Sequence, residues 1–328
     1  MNNLSPEQLK KAVDSGIITQ VQYEQLMELA RAENSSAAHS SISVPSVLYN
    51  VGGVIAYVAL VFLLSISEDA LGGWGIIGIC VAYVCVAVFV IQYFQRQQQS
   101  HLLGISATFL VFVIPLLCYG IALAMGWWPE DTASNELLLR TFCWSFAFAT
   151  FVGALCVLKW LQVPFLMMPV SLCLAYLLIE FPYVWLGYDE YFETWHWVIA
   201  ISGGVITFLA LLVEKKVMGQ QVVEGKDFTF WLYILGVSLV WLGIMLEVPD
   251  KLWEQSLFFA FNLALLAIGT WIKRNVFLLW GAMGGIYYLF YLAHEIFADT
   301  PLYPLSLTAI AGLVIYLGIR WSGMITDN

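Results

Sequence analysis

Charge is what this chain has least of. Only 11% of its 328 residues are charged and 61% are hydrophobic, where a soluble domain carries about 25% and about 45–50%. So little charge cannot clothe a water-soluble globule. The mean hydropathy of +0.82 puts most of the surface against lipid or against other apolar helices. The six cysteines (Cys80, Cys85, Cys118, Cys143, Cys156 and Cys173) all lie in apolar runs, with no CxxC pair. They read as inert buried thiols and imply neither a metal nor a disulfide. No Walker loop, dinucleotide fingerprint or Ser/His/Asp elbow is present, and no cofactor is implied. No basic patch lies outside the connectors, so nucleic acid is not an expected partner. Met1–Asn34 is polar and amphipathic and has no apolar signal core, so the first span is expected to direct insertion.

What is there is a succession of about ten apolar segments between Ser46 and Trp321. Each is close to the roughly 20 residues that cross about 30 Å of hydrocarbon. They fall at 46–66, 73–94, 102–125, 137–158, 163–181, 196–213, 229–247, 256–272, 275–293 and 303–321. The expected fold class is all-α: a polytopic integral membrane protein of about ten transmembrane helices, in contact with the lipid bilayer. Basic residues orient it. Lys10, Lys11, Arg31, Arg96, Lys159, Lys215, Lys216, Lys226, Lys273, Arg274 and Arg320 fall on one side, and only Arg140 and Lys251 on the other. Short basic connectors resist translocation, so both termini are expected in the cytoplasm. The outer face is acidic and aromatic, from Glu68 and Asp69 through Asp189, Glu190 and Glu193 to Asp250 and Glu254, with Trp127, Trp128, Trp195, Trp197 and Trp253. An interfacial aromatic belt accounts for such a face. The functional alternative is a vestibule that concentrates cations or holds a polar head group.

Ahead of the first span, residues 4–32 read as a helical hairpin. Ser5 with Gln8 makes a capping box with Pro6 at the first helical position, Ser15-Gly16 ends that helix, and Thr19 caps the next. A Ser- and Ala-rich linker follows. The expected organisation is a cytoplasmic hairpin and linker over 1–44 and a transmembrane helical domain over 45–328. The hairpin is too small for a core of its own, so it leans on a cytoplasmic protein partner, on a second copy, or on the connectors.

Gly52-Gly53-Val54-Ile55 in the first span is echoed by Gly203-Gly204-Val205-Ile206 in the sixth. The two spans cross in opposite senses, which is consistent with two inverted five-helix repeats, an arrangement found in transporters. Pro115 and Pro169 have no counterparts at the matching places, which weighs against it. Each proline frees a carbonyl inside its span, of Val111 and of Phe165.

Polar groups in lipid are costly and mark candidate sites. Asn262 is the clearest one at the midplane, with an interhelical hydrogen bond as its plainest role. One turn inside the outer boundary stand Arg140, Glu180, His196, His294 and Glu295. If their helices meet, Arg140 pairs with Glu180 while the histidines line a pocket above; snorkelling explains each one singly. Glu193 and His196 have the Glu-x-x-His spacing of two ligands on one helical face, but zinc wants three or four, and no metal site is inferred. Gly281-x-x-x-Gly285 is a helix-packing signature.

Several stretches carry a resemblance. These are Ser15-Gly16-Ile17-Ile18-Thr19, Gly126-Trp127-Trp128-Pro129-Glu130, Pro164-Phe165-Leu166-Met167-Met168-Pro169, Lys226-Asp227-Phe228-Thr229-Phe230-Trp231-Leu232-Tyr233, Asn275-Val276-Phe277 and Asp299-Thr300-Pro301-Leu302-Tyr303-Pro304. In these the chain resembles a family of bacterial multi-pass membrane proteins catalogued as a domain of unknown function, which begin with a helical hairpin. The resemblance implies a bacterial cytoplasmic (inner) membrane protein and supplies no catalytic residue.

The expected function is a carrier or channel-like protein for a small solute or ion. The alternatives are a non-transporting scaffold or sensor acting through its hairpin, and a membrane enzyme on lipid-linked sugar using Glu180, Glu193 or the histidines.

Overall fold

A bilayer offers no water to backbone N–H and C=O groups, so apolar runs of this length must satisfy them internally, as helices. The structure is a computed structural model that describes residues 19, 22–23, 44–97, 99–129, 135–221, 227–247, 251–272, 274–297, 305, 308 and 312. It divides into two units, residues 1–65 and 66–328.

In the first unit Thr19 and Gln22 exchange hydrogen bonds. The Thr19 N–H donates to Gln22 Oε1 at 2.9 Å and the Gln22 N–H to Thr19 Oγ1 at 3.3 Å. This reciprocal pair is a capping box, built on the threonine expected to cap. The rest of the hairpin over 4–32 lies outside the described residues. So does the tenth segment, 303–321, apart from Leu305, Thr308 and Gly312.

The described helices are α1 (Val44–Arg96), α2 (Ser100–Ala124), α3 (Glu136–Leu161), α4 (Met167–Glu180, after a 3₁₀ turn at Pro164–Leu166), α5 (Tyr183–Gln221), α6 (Phe230–Leu246), α7 (Leu252–Ile272) and α8 (Asn275–Phe297). Helix α1 is broken at Gly72, with φ of 60°. Helix α5 is broken at Gly187, with φ of 75°. Both breaks need a backbone that a side chain resists. Six helices (α1, α2, α3, α5, α7 and α8) are long and apolar enough to cross a membrane. Helices α4 and α6, with 14 and 17 residues, fall short of the roughly 20 that a perpendicular crossing takes. The nine segments drawn between residues 46 and 293 all fall on these helices, two of them on α1.

On α3 the side chains are sorted against the habit of a soluble globule. Helix α3 buries only Thr150 and Ala154 and exposes Leu138, Phe148, Val152, Leu155 and Trp160. Large apolar groups outside and small ones inside are what a helix bundle in lipid requires. The crossings show why the small ones matter. A Cβ on Gly203 would lie 2.5 Å from the Val240 nitrogen, and one on Gly243 would lie 2.6 Å from the Ala200 nitrogen, so α5 and α6 touch backbone to backbone. Between α7 and α8 the close approach falls at Gly281, where a Cβ would lie 2.8 Å from the Asn262 carbonyl, and at Gly284, which abuts the Asn262 side chain. Gly285 meets nothing within 4 Å. The packing pair is therefore i,i+3 and not the expected i,i+4.

Two further expectations change. Helix α4 begins at Met167, so Pro169 sits in a first turn, where a missing N–H leaves no hydrogen bond unmade; among the described residues Pro115 is the mid-helix proline. The glycine echo also packs unequally: Gly203 is pressed on α6, whereas a Cβ on Gly52 would meet nothing within 4 Å.

Candidate functional site

Among the described residues, three charged assemblies flank the apolar interior. The first joins the start of α3 to the end of α4. Arg140 donates through Nη1 to Glu180 Oε2 at 2.7 Å and through Nε to Glu136 Oε1 at 3.0 Å. Its guanidinium carbon lies 4.0 Å from the Tyr183 ring centroid. Glu136, one turn before Arg140, makes an i,i+4 pair and suits the positive end of the helix dipole. The break at Gly187 lets Tyr183 and Tyr191 meet edge to face at 5.4 Å, and the Tyr191 hydroxyl donates to the Ile179 carbonyl. A cavity of about 180 Å³ lies beside the clasp, with Trp144, Phe181 and Tyr183 among its walls. The histidines do not line it.

The second assembly is where His196 goes instead. Its Nε2 is 2.9 Å from Glu247 Oε2, without the alignment of a hydrogen bond. Glu247 follows α6, and beside it opens a cavity of about 350 Å³ between α5, α6 and α7, walled by Trp197, Ile244, Trp253 and Phe258. Glu254 also lines it. That side chain is only 16% exposed, with Lys251 Nζ 3.8 Å from its Oε1, while its Oε2 is buried with no hydrogen bond.

The third assembly is at the other end of the same helices. Arg274, between α7 and α8, donates to Glu214 Oε1 at 2.6 Å and to Thr229 Oγ1 at 2.9 Å, and also pairs with Asp227. The buried Tyr233 hydroxyl donates to the second oxygen of Glu214. Asp227 accepts from the Thr229 and Phe230 N–H groups at 3.0 and 3.1 Å, so it caps α6 while it holds Arg274. Burial pushes the Asp227 carboxyl up, but Arg274 and Thr229 outweigh it and hold the group below the ordinary carboxylate range. Burial likewise works against the Arg274 charge, and its two carboxylates more than reverse that.

Between the ends the interior is nearly apolar. Asn262 is fully buried. Its Oδ1 accepts from Trp241 Nε1 at 3.0 Å and its Nδ2 donates to the Phe258 carbonyl at 2.8 Å, which makes it an interhelical tie from α7 to α6. Glu193, His294 and Glu295 are exposed and line neither cavity. Among the described residues no three His, Cys, Asp or Glu side chains converge as metal ligands.

Sequence reasoning brought Arg140 and Glu180 forward and passed over Glu214, Asp227, Tyr233 and Glu247. A signal existed for two of them. Asp227-Phe228-Thr229 before an apolar run is a helix-capping pattern, and Glu214 is an acid beside the basic pair Lys215-Lys216. No family model matches the chain, and neither a curated protein nor a solved structure is significantly similar to it.

Proposed function

We propose that this chain is a ten-span carrier or channel-like protein of the bacterial cytoplasmic membrane, both termini inside, moving a small solute or ion. The observation that carries this reading is the inequality of the two ends. Among the described residues, cavities rimmed by carboxylates and indoles lie at one end, and Arg274 ties α5 to the starts of α6 and α8 at the other. His196 and Glu214 stand about 27 Å apart along α5 at 1.5 Å per residue, close to the hydrocarbon thickness of about 30 Å. Cavities at one end of helices that ion pairs hold together at the other are compatible with alternating access. The positive-inside distribution puts the Arg274 end in the cytoplasm and so makes the cavities an outer mouth. The five-plus-five repeat is not needed for this reading.

Purified protein in proteoliposomes, offered a panel of labelled cations, amines and neutral solutes, is expected to take up at least one saturably. Deleting residues 1–44 is expected to leave that flux in place, where a scaffold would lose its activity. Folded protein that moves nothing above protein-free vesicles overturns the carrier.

A further inference from the structure

Resting on that reading, we propose that the cavity between α5, α6 and α7 is a binding site for an organic ammonium group. The cation sits against Glu254 and Glu247, and its alkyl part lies on Trp197, Trp253 and Phe258. Four features of the cavity point there together. Its volume of about 350 Å³ is within the range of about 300–1,000 Å³ typical of small-molecule sites. Among the described residues two carboxylates and no basic side chain line it; Lys251, within ion-pair reach of Glu254, is mostly in solvent. The inner oxygen of Glu254 is out of water with no donor to satisfy it, a costly state for a carboxylate. Glu247 is half exposed at the edge of the cavity, open to a further partner, with His196 Nε2 2.9 Å from its Oε2.

The remaining wall decides which cation. A hard metal ion wants about six or more oxygens, and this wall is indole and phenyl. Aromatic faces attract an alkylated ammonium by its charge and bury its methylene or methyl groups at once. The same chemistry is carried by soluble amines and by the amine head group of a phospholipid, and the open side of the cavity admits both.

The test is a tryptophan-fluorescence titration of the purified full chain in detergent with tetraethylammonium chloride. A saturable change is expected, weakened about tenfold in Glu254→Gln and to a smaller extent in Glu247→Gln, with Lys159→Gln, at the far end of α3, as the charge control. Thermal melts of each variant separate lost binding from lost folding. The same titration in nanodiscs of phosphatidylethanolamine and of phosphatidylglycerol identifies the source. Competition by the first lipid alone assigns the site to a head group, and equal binding in both assigns it to a soluble amine. Failure of well-folded wild-type protein to bind tetraethylammonium, trimethylamine or phosphatidylethanolamine overturns the inference. Saturable flux of an anion or a neutral solute in that case leaves the carrier standing. Ammonium binding without flux of any solute does the reverse.

Discussion

Arg274 shows how much one side chain decides when it is taken out of water. Its guanidinium serves Glu214 and Asp227 at once. With Arg274 removed, Glu214, only 12% exposed, is left as an uncompensated carboxylate beside the Tyr233 hydroxyl. Arg274→Gln is therefore expected to destabilise the fold by about 2–3 kcal/mol, seen as a lower melting temperature in detergent. A second prediction follows from Asp227, whose carboxyl is held below its ordinary range. A depressed native pKa contributes stability that is present above the unfolded value of about 3.9 and disappears as pH falls through the lower native value. The melting temperature is expected to fall on acidification below about pH 4, and Asp227→Asn to reduce that fall. An equal acid dependence in the variant would detach Asp227 from the effect. Of these residues, only Arg140 and Glu180 could be paired from sequence, because each sits at a boundary that the span limits already mark. Arg274 lay in plain view as a topogenic charge, but its partners arrive from α5 and the start of α6, distant in the chain.

At the scale of the helix the deciding quantity is the closeness of two backbones. Gly284 abuts Asn262, whereas Gly285, one residue on, faces open space. Gly284→Ala is expected to force α7 and α8 apart, costing roughly 2 kcal/mol or more, while Gly285→Ala stays within about 0.5 kcal/mol of the native stability. Comparing the two melts measures the register directly, and equal effects would refute it. The breaks at Gly72 and Gly187 are of another kind. A side chain at either has space around it but not the backbone conformation. Helix positions were legible here, since the roughly 20-residue length of a crossing is written into the apolar runs. Which of two adjacent glycines touches a neighbour was not, because helix rotation about its own axis depends on the partner surface.

For the whole molecule, the prediction is topological. Reporter domains inserted after Asp227 and after the end of α8 are expected on opposite sides of the membrane, with the Asp227 site cytoplasmic. The same side for both would break the alternation on which the outer mouth rests. The long uninterrupted apolar runs by themselves pointed to helices in lipid, because a single segment of that length satisfies its own backbone only as a helix. Where the cations lie along the chain carries the proposed orientation, through a rule about translocation and not about packing. Only the tertiary structure decided that His196 meets Glu247 instead of standing above Arg140, that Glu247 and Glu254 line one cavity, and that Glu214 and Asp227 meet on Arg274 at the opposite end. Those contacts join residues separated by tens of positions, and their geometry comes from how helices cross.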